Sequence, residues 1–403
     1  MRILNVTQSY APFYEFGGPP VKVRALSEEL ARRGHQVTVL TADWKLEARF
    51  PAGTPPPGTT RSPFGWRHEE NGVQSIYLPT WVRYRALSWN PAVKRFARAK
   101  LRGFDVVHIF GLYDLLGPAI AEHCRTLNIP YMVEPIGMFL PIVRSFWKKR
   151  VYQSLFGNKM LDGARFLIAT SEQEAEELAS GGTPREKICL RRNGVDAPVD
   201  LPSRGAFRAK HGIPTGAKVI LFLGRISAKK SPHLLLEAFA ALGSDLLQSK
   251  DARLVFAGPD DEGLKERLLE AADRLGLRSR TLFTGALFET AKWEAYRDAD
   301  VFVLPSQNEN FGNTAAEAVA AGTPVVVTEG CGVAPLLAGA GIVVAHSAAS
   351  ISDALRSLLS DSGLHAELAA GCGQVAARLG WSEPAEAMES LYQTLVPPMR
   401  PMQ

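Results

Sequence analysis

The chain has 403 residues, 46% of them hydrophobic and 22% charged, with a formal net charge of +5. This is too long for one ordinary domain, and the composition is that of a soluble globular protein able to bury sizeable cores. Four widely spaced cysteines with no Cys-x-x-Cys pair predict buried thiols in a reducing cytosol rather than disulfides or a metal site. No apolar run of about eighteen residues is present to span a membrane. Met1-Arg2 runs straight into an expected strand, with no signal-peptide pattern.

In chain order, apolar strand patterns alternate with helical ones. Strand Ile3–Thr7 is followed by helix Lys22–Arg33, strand Gln36–Thr41, strand Val106–Phe110, helix Gly117–Leu127, and strands Tyr131–Val133 and Phe166–Ala169. Pro51 to Gly65, rich in Pro and Gly, reads as a surface loop, and Asp196 to Gly205 has linker chemistry. A second series follows. Its strands are Val219–Leu223, Ala252–Ala257, Thr281–Phe283, Val301–Leu304, Pro324–Val327 and Gly341–Val344. Its helices are Pro232–Leu242, Gly263–Leu275 and Thr314–Ala321, and an amphipathic helix at Glu383–Leu395 closes the chain. Uniformly apolar strands alternating with helices indicate parallel sheets covered on both faces. The expected fold is α/β, with two doubly wound Rossmann-like domains facing a cleft, and ligands at the carboxyl ends of the strands. The expected divisions are one such domain over 1–200, a second over 201–380, and a helix over 381–403 returning toward the first domain. Charge divides the same way. Residues 1–200 hold 27 Lys+Arg against 19 Asp+Glu, a balance of +8; the totals of 46 and 41 leave 19 against 22, or −3, for the rest.

The most informative stretch, 305–327, holds Glu309 and Glu317 with seven residues between them. A strand feeds a Pro/Asn/Gly loop that opens a helix near Asn313 or Thr314. Glu309 then sits just before the helix and Glu317 about one turn inside it. Unpaired amides and the partial positive charge of that helix end suit a phosphate, and carboxylates beside it suit a ligand that also carries hydroxyls. Gly224 ends an expected strand, and Arg225 and Lys230 bracket the turn before Pro232. A planar fork and a point charge there suit a diphosphate, while Lys229 reads as solvated. Phe16-Gly17-Gly18-Pro19-Pro20 permits a close backbone approach but lacks the Gly-x-Gly-x-x-Gly spacing of a dinucleotide site. Asp298-Ala-Asp300 reads as a solvated turn, not a metal site. His108, near the end of its strand, is either a contact to a substrate hydroxyl or a satisfied half-buried histidine.

Residues 81–102 carry Arg83, Arg85, Lys94, Arg95, Arg98, Lys100 and Arg102 with Trp81, Tyr84, Trp89 and Phe96, and no acid. Residues 144–150 add a second basic-aromatic cluster. Both fit an anionic membrane surface or a lipid diphosphate acceptor, and both also fit a solvated helical face. Nucleic acid is not expected, because no nucleic-acid-binding motif accompanies the charge.

An ordered set of segments resembles the retaining nucleotide-sugar glycosyltransferases of the GT-B fold, in their large fourth family, which includes many bacterial polysaccharide and glycolipid enzymes. The segments are Gly17-Gly18 with Arg33-Gly34-His35-Gln36-Val37, Asp105 to His108, Glu134 to Met138, Ala169 to Glu172, Asn193 to Asp196, Gly224-Arg225, Phe283 to Gly285, Glu309-x7-Glu317 and Gly322 to Val325. The resemblance implies that Arg225 and Lys230 bind the donor diphosphate, with Gly18 supplying a backbone amide. Glu317 would take the ribose diol. Glu309 would take the donor-sugar hydroxyls, aided by backbone groups of Phe311, Gly312, Asn313 and Thr314, and Phe283 to Ala286 would lie near the base. The resemblance makes 1–200 the acceptor-binding domain, with His108, Glu134 and Gly137 as acceptor-side candidates, and 201–380 the nucleotide-sugar-binding domain. One departure stands out: Ile136 occupies a position where many relatives carry His or Arg. The resemblance further implies a cytoplasmic enzyme, with a peripheral place at the membrane as an option, that needs neither cofactor nor metal. It would move a sugar from a UDP- or GDP-sugar to a sugar or lipid-linked acceptor with retention. The alternatives are a sugar-nucleotide epimerase or hydrolase, and a non-catalytic scaffold.

Overall fold

The computed structural model describes residues 1–50, 53–84, 87–139, 151–260 and 262–396, and within them all side chains but those of Glu15, Arg83 and Tyr84. The chain divides into two compact units, Met1–Gly194 with Trp381–Gln403, and Val195–Gly380.

In the first unit the strands are β1 (Arg2–Thr7), β2 (Gln36–Ala42), β3 (Thr59–Ser62), β4 (Gly65–Glu70), β5 (Val73–Leu78), β6 (Val82–Tyr84), β7 (Leu87–Trp89), β8 (Val106–Phe110), β9 (Tyr131–Glu134), β10 (Leu167–Ala169) and β11 (Ile188–Leu190). Nine of them form one sheet in the order β11-β10-β9-β8-β1-β2-β5-β4-β3; β6 and β7 pair separately as a hairpin. From β11 to β5 the neighbours are parallel, and β4 and β3 extend the edge as antiparallel strands. β1 and β8 are buried almost throughout, which explains why they are mostly apolar, with Asn5 and His108 as buried polar residues within them. Helix Gly18–Arg32 covers the sheet with Val23, Leu26 and Leu30. The closing helix, Ser382–Leu395, belongs to this unit and buries Met388 and Tyr392 in its core.

The reading of Pro51 to Gly65 as a surface loop is corrected. Thr59–Ser62 pairs with Gly65–Glu70, and the Ser62 hydroxyl closes the turn by donating to Gly65 O and accepting from Phe64 N. The expectation failed because β3 is an edge strand with four small or polar residues and so offers no apolar alternation to read. Pro51 and Ala52 lie outside the described residues.

The second unit holds β12 (Val219–Leu223), β13 (Arg253–Ala257), β14 (Thr281–Gly285), β15 (Val301–Leu304), β16 (Val325–Thr328) and β17 (Gly341–Val344). All are parallel, in the order β14-β13-β12-β15-β16-β17. Chain order therefore runs outward from β12 on one side and from β15 on the other. Their junction is a topological switch point, where the connections after the two strands depart in opposite directions and leave a crevice. The ends of β12, β13 and β14 turn tightly together: Gly224 N–H donates to Ala257 O, and Gly258 N–H to Gly285 O. Gly258 lies at φ 153°, and a Cβ there would stand 1.8 Å from Gly224 O. Only glycine lets these two connections pass so closely.

Candidate functional site

The switch point brings together residues that are far apart in the chain. Arg225 and Lys230 follow β12, and Glu309 lies in the loop after β15. Lys230 Nζ forms an ion pair with Glu309 Oε2, with side chains 18% and 22% exposed. The Glu309 backbone is fastened on both sides. Its N–H donates to Gly330 O at 2.9 Å, and its carbonyl accepts from Gly332 N–H at 2.9 Å. Burial alone would push the Glu309 carboxyl up; Lys230, and behind it Lys229 and Arg225, instead hold it below the usual carboxylate range. Lys229, expected to be merely solvated, thus adds to the field at Glu309. The Arg225 guanidinium is exposed.

Helix Asn313–Ala320 begins beside this pair. Its N-cap, Gly312, sits at φ 103°, where a Cβ would stand only 3.0 Å from Val333 Cγ1 and 3.2 Å from Leu304 Cδ2. The amides of Asn313 and Thr314 then have no preceding helical carbonyl. Thr314 Oγ1, Asn310 Nδ2 and Ser306 Oγ are buried polar atoms with no hydrogen-bond partner among the described residues. Phe311 is buried in the core. Phe283 stacks on Phe256 with ring centroids 5.0 Å apart, and Gly285 is exposed.

Glu317 is held by two groups that sequence reasoning missed. Lys292 Nζ lies 2.8 Å from Oε1, and the Tyr296 hydroxyl donates to Oε2 at 2.8 Å. Both come from helix Glu289–Asp298, which is mostly polar and showed no clear apolar period. Two oxygens with about four lone-pair sites still leave acceptor capacity for a ligand.

Asp298 and Asp300 correct the expected solvated turn. Asp298 is buried and accepts from the amides of Gly205 and Arg208, so it caps helix Ala206–His211 from a distance. Asp300 pairs with Arg208 and Lys218 and accepts from Val219 N–H. Among the described residues no three His, Cys, Asp or Glu side chains converge as a metal site.

The first unit holds a different constellation. Glu134, at the end of β9, is fully buried between Lys22 Nζ and Arg191 Nη2. His108 is also fully buried. Its Nδ1 lies 2.9 Å from the Tyr392 hydroxyl, its Nε2 3.6 Å from Glu134 Oε2, and its ring stacks on Phe110. Of the two readings of His108, the structural one holds, with the ring fully rather than half buried, and the placing of Glu134 on the acceptor side is corrected: both are enclosed by partners within this unit. Gly137 donates its amide to Glu174, whose other oxygen takes the amide and hydroxyl of Thr170. Between them, Ile136 sits at φ 55°, a conformation that a β-branched residue seldom adopts. Lys22 and Arg191 went unnoticed in the sequence. Lys22 carried a signal, because it shares a stripe with Leu26 and Leu30 at helical spacing and is therefore a charge on an apolar face. At Gly18 the helix starts with Pro19 and Pro20 in its first positions, so two of the usual N-terminal donors are absent.

Burial, partly opposed by Glu134, pushes His108 down to about 3. Between pH 6.5 and about 3, the unfolded chain takes up a proton that folded His108 refuses, so stability falls as pH falls. The expected slope is up to about 1.4 kcal/mol per pH unit. Urea midpoints at pH 7 and 4.5 should show a smaller drop for His108→Gln than for the parent.

Two family models divide the chain between them: "Glycosyl transferase 4-like domain" over residues 17–194 and "Glycosyl transferases group 1" over 203–377. A D-inositol 3-phosphate glycosyltransferase of Xylanimonas cellulosilytica is 34% identical, aligned over 93% of this chain and 91% of its own length. This chain belongs to the glycosyltransferase family that the two models describe. A second such glycosyltransferase, from Corynebacterium jeikeium, is 33% identical over 98% and 97% of the two chains. Among solved structures, Anabaena HepE with UDP and glucose has a TM-score of 0.72 at 18% identity, covering 98% of this chain and 99% of that one. Sucrose-phosphate synthase of Thermosynechococcus elongatus has a TM-score of 0.70 at 21% identity, covering 98% of each. These structural likenesses give the glycosyltransferase a GT-B fold.

Proposed function

We propose that this glycosyltransferase moves a hexose-type sugar from a UDP- or GDP-sugar to an acceptor hydroxyl, with retention and without a metal ion. The observation that carries the reading is the ion pair of Lys230 with Glu309 at the switch point beside the N-terminus of helix Asn313–Ala320, with Arg225 close enough to bear on the Glu309 carboxyl. Two cations and a helix end can stabilise the charge that develops on a departing diphosphate, which is the main electrostatic demand of the reaction. In this reading the bond from the sugar's anomeric carbon to the diphosphate breaks and a bond to the acceptor oxygen forms on the same face. The acceptor's proton passes to the departing diphosphate. Glu309 and Glu317 then bind hydroxyls of the donor, and neither is needed as nucleophile or acid, unlike the paired carboxylates of hydrolases. The Anabaena structure with UDP and glucose supports such a donor.

For the acceptor, the names of the sequence relatives favour a phosphorylated cyclitol, while the basic-aromatic segments favour a lipid-linked or polysaccharide acceptor. The test is a thermal-shift panel of UDP-, GDP- and ADP-sugars, since a ligand at 100 times its dissociation constant stabilises by about 2.7 kcal/mol. It is followed by NMR of the product's anomeric configuration with inositol 3-phosphate and lipid-linked acceptors, with and without chelator. Donor turnover that needs no acceptor would point to a hydrolase or epimerase. Binding without any product would leave a scaffold, and an inverted product or loss of activity with chelator would overturn retention or metal independence.

A further inference from the structure

The hairpin β6–β7 and the helix after it present a surface that the site does not use. Trp81, just before β6, is 71% exposed, Val82 58%, and Trp89, at the end of β7, 49%. The two indoles are not splayed apart. The Trp81 backbone N–H donates to the Trp89 backbone carbonyl at 3.0 Å, and the rings stand edge to face with centroids 5.8 Å apart. Large aromatic side chains are usually sheltered in a core, and a paired exposed set marks a contact surface rather than scattered surface apolarity.

Immediately beyond, helix Ala92–Lys100 buries Val93, Phe96 and Ala97 and turns Lys94, Arg98 and Lys100 to solvent, with Arg102 exposed after it. These four cations form no ion pair or hydrogen bond among the described residues, and residues 81–102 contain no Asp or Glu. The two elements are rooted on one buried residue. Asn90 donates to Leu78 O, Pro79 O and Thr80 Oγ1, accepts from Ser88 Oγ, and its carbonyl takes Val93 N–H. The hairpin base and the start of the helix therefore hold a defined relation. Arg85, and the whole 144–150 cluster expected to share this role, lie outside the described residues.

We infer that this surface docks on an anionic phospholipid bilayer, with Trp81 and Trp89 entering the headgroup region and Lys94, Arg98, Lys100 and Arg102 facing the lipid phosphates. Amphipathic rings with an N–H seat at that depth, and uncompensated cations are drawn to a negative leaflet. Among the described residues no helix is long and apolar enough to cross a membrane, so the attachment is to one face only. A charged soluble polymer would satisfy the cations but has no use for the indole pair, which is why a lipid surface is the better match.

The experiment is co-sedimentation of the full chain with phosphatidylcholine vesicles containing 0 or about 30 mol% phosphatidylglycerol, in low and high salt. Binding is expected only to the anionic vesicles. Arg98→Glu/Lys100→Glu should weaken it by at least about tenfold, since each near-surface cation contributes about fivefold. Trp81→Ala/Trp89→Ala should weaken it comparably, and brominated lipid should quench the parent's fluorescence more than that variant's. Circular dichroism melts of both variants confirm that exposed positions were changed without unfolding. Equal binding to neutral vesicles, no binding to either kind, or a tryptophan variant that binds like the parent would each overturn the proposal. No donor or acceptor enters the assay, so its outcome is independent of the transfer reaction.

Discussion

Replacing Lys230 by alanine should lower kcat by about 10²–10³-fold, on the order of 2.7–4 kcal/mol of transition-state stabilisation, with a smaller change in KM. Lys230 rests against Glu309, and both are largely withdrawn from water, so its charge acts with less screening than at an open surface. A diphosphate entering the switch point competes with Glu309 for this ammonium, and the competition turns in favour of the diphosphate as the sugar leaves. Loss of that differential interaction appears in kcat, whereas loss of uniform donor binding would appear in KM. Arg225, an exposed guanidinium one residue beyond Gly224, should show a loss of the same kind. The check is steady-state release of nucleoside diphosphate at saturating donor and acceptor, beside a melting curve to show that the variant is folded. Parental kcat in the alanine variant would falsify the leaving-group role of Lys230.

Replacing Glu134 by glutamine should destabilise the first unit by about 3–5 kcal/mol, the cost of stranding buried charge. Glu134 is fully buried, with Lys22 and Arg191 against its two oxygens. Burial would raise its carboxyl, but Arg191 and Lys22 bring it down to about 2, so it stays ionised and neutralises part of the cluster. A neutral amide of the same shape leaves two buried cations with less compensation, while burial already pulls the Lys22 ammonium down from its ordinary value. The sign with pH is clear: a carboxyl lowered in the folded state stabilises above about pH 4.5 and loses that contribution as pH falls toward about 2. The double variant Lys22→Met/Glu134→Gln should cost less than the sum of the two single changes, because the partners act as one network. Urea unfolding followed on the transition of the first unit measures both effects; a single variant within about 0.5 kcal/mol of the parent would mean that the cluster is not a tight ion pair.

Local chemistry made much of this protein legible in advance. The strands Val219–Leu223 and Val301–Leu304 were expected where they lie, because strands buried on both faces must be apolar throughout; Gly341–Val344, a half-exposed edge strand, was legible from its Ile-Val-Val run. The opening of helix Asn313–Ala320 was readable from its Pro/Asn/Gly loop, and the two-sheet α/β plan followed from alternation alone. Elements without an apolar period were not legible. β3 needs no apolar residue, and helix Glu289–Asp298 is mostly polar, so neither carries a strong period.

Partnership was the other matter beyond the sequence. Glu317, read as an open carboxylate, is gripped by Lys292 and Tyr296 some twenty residues earlier in the chain. Glu134 and His108, read as candidates reaching for an acceptor, are enclosed by Lys22, Arg191 and Tyr392, contributed by a helix near the start, the segment after β11 and the closing helix. A side chain's type and local spacing state what chemistry it can do. Whether it faces ligand or core depends on which distant strands become neighbours, and that is decided by sheet order. The sequence alone therefore determined the strand–helix alternation, the family likeness and the Lys230 and Glu309 candidates. Only the tertiary structure decided that the switch point between β12 and β15 brings those two into contact, because parallel neighbours far apart in sequence meet only through the closure of the whole sheet.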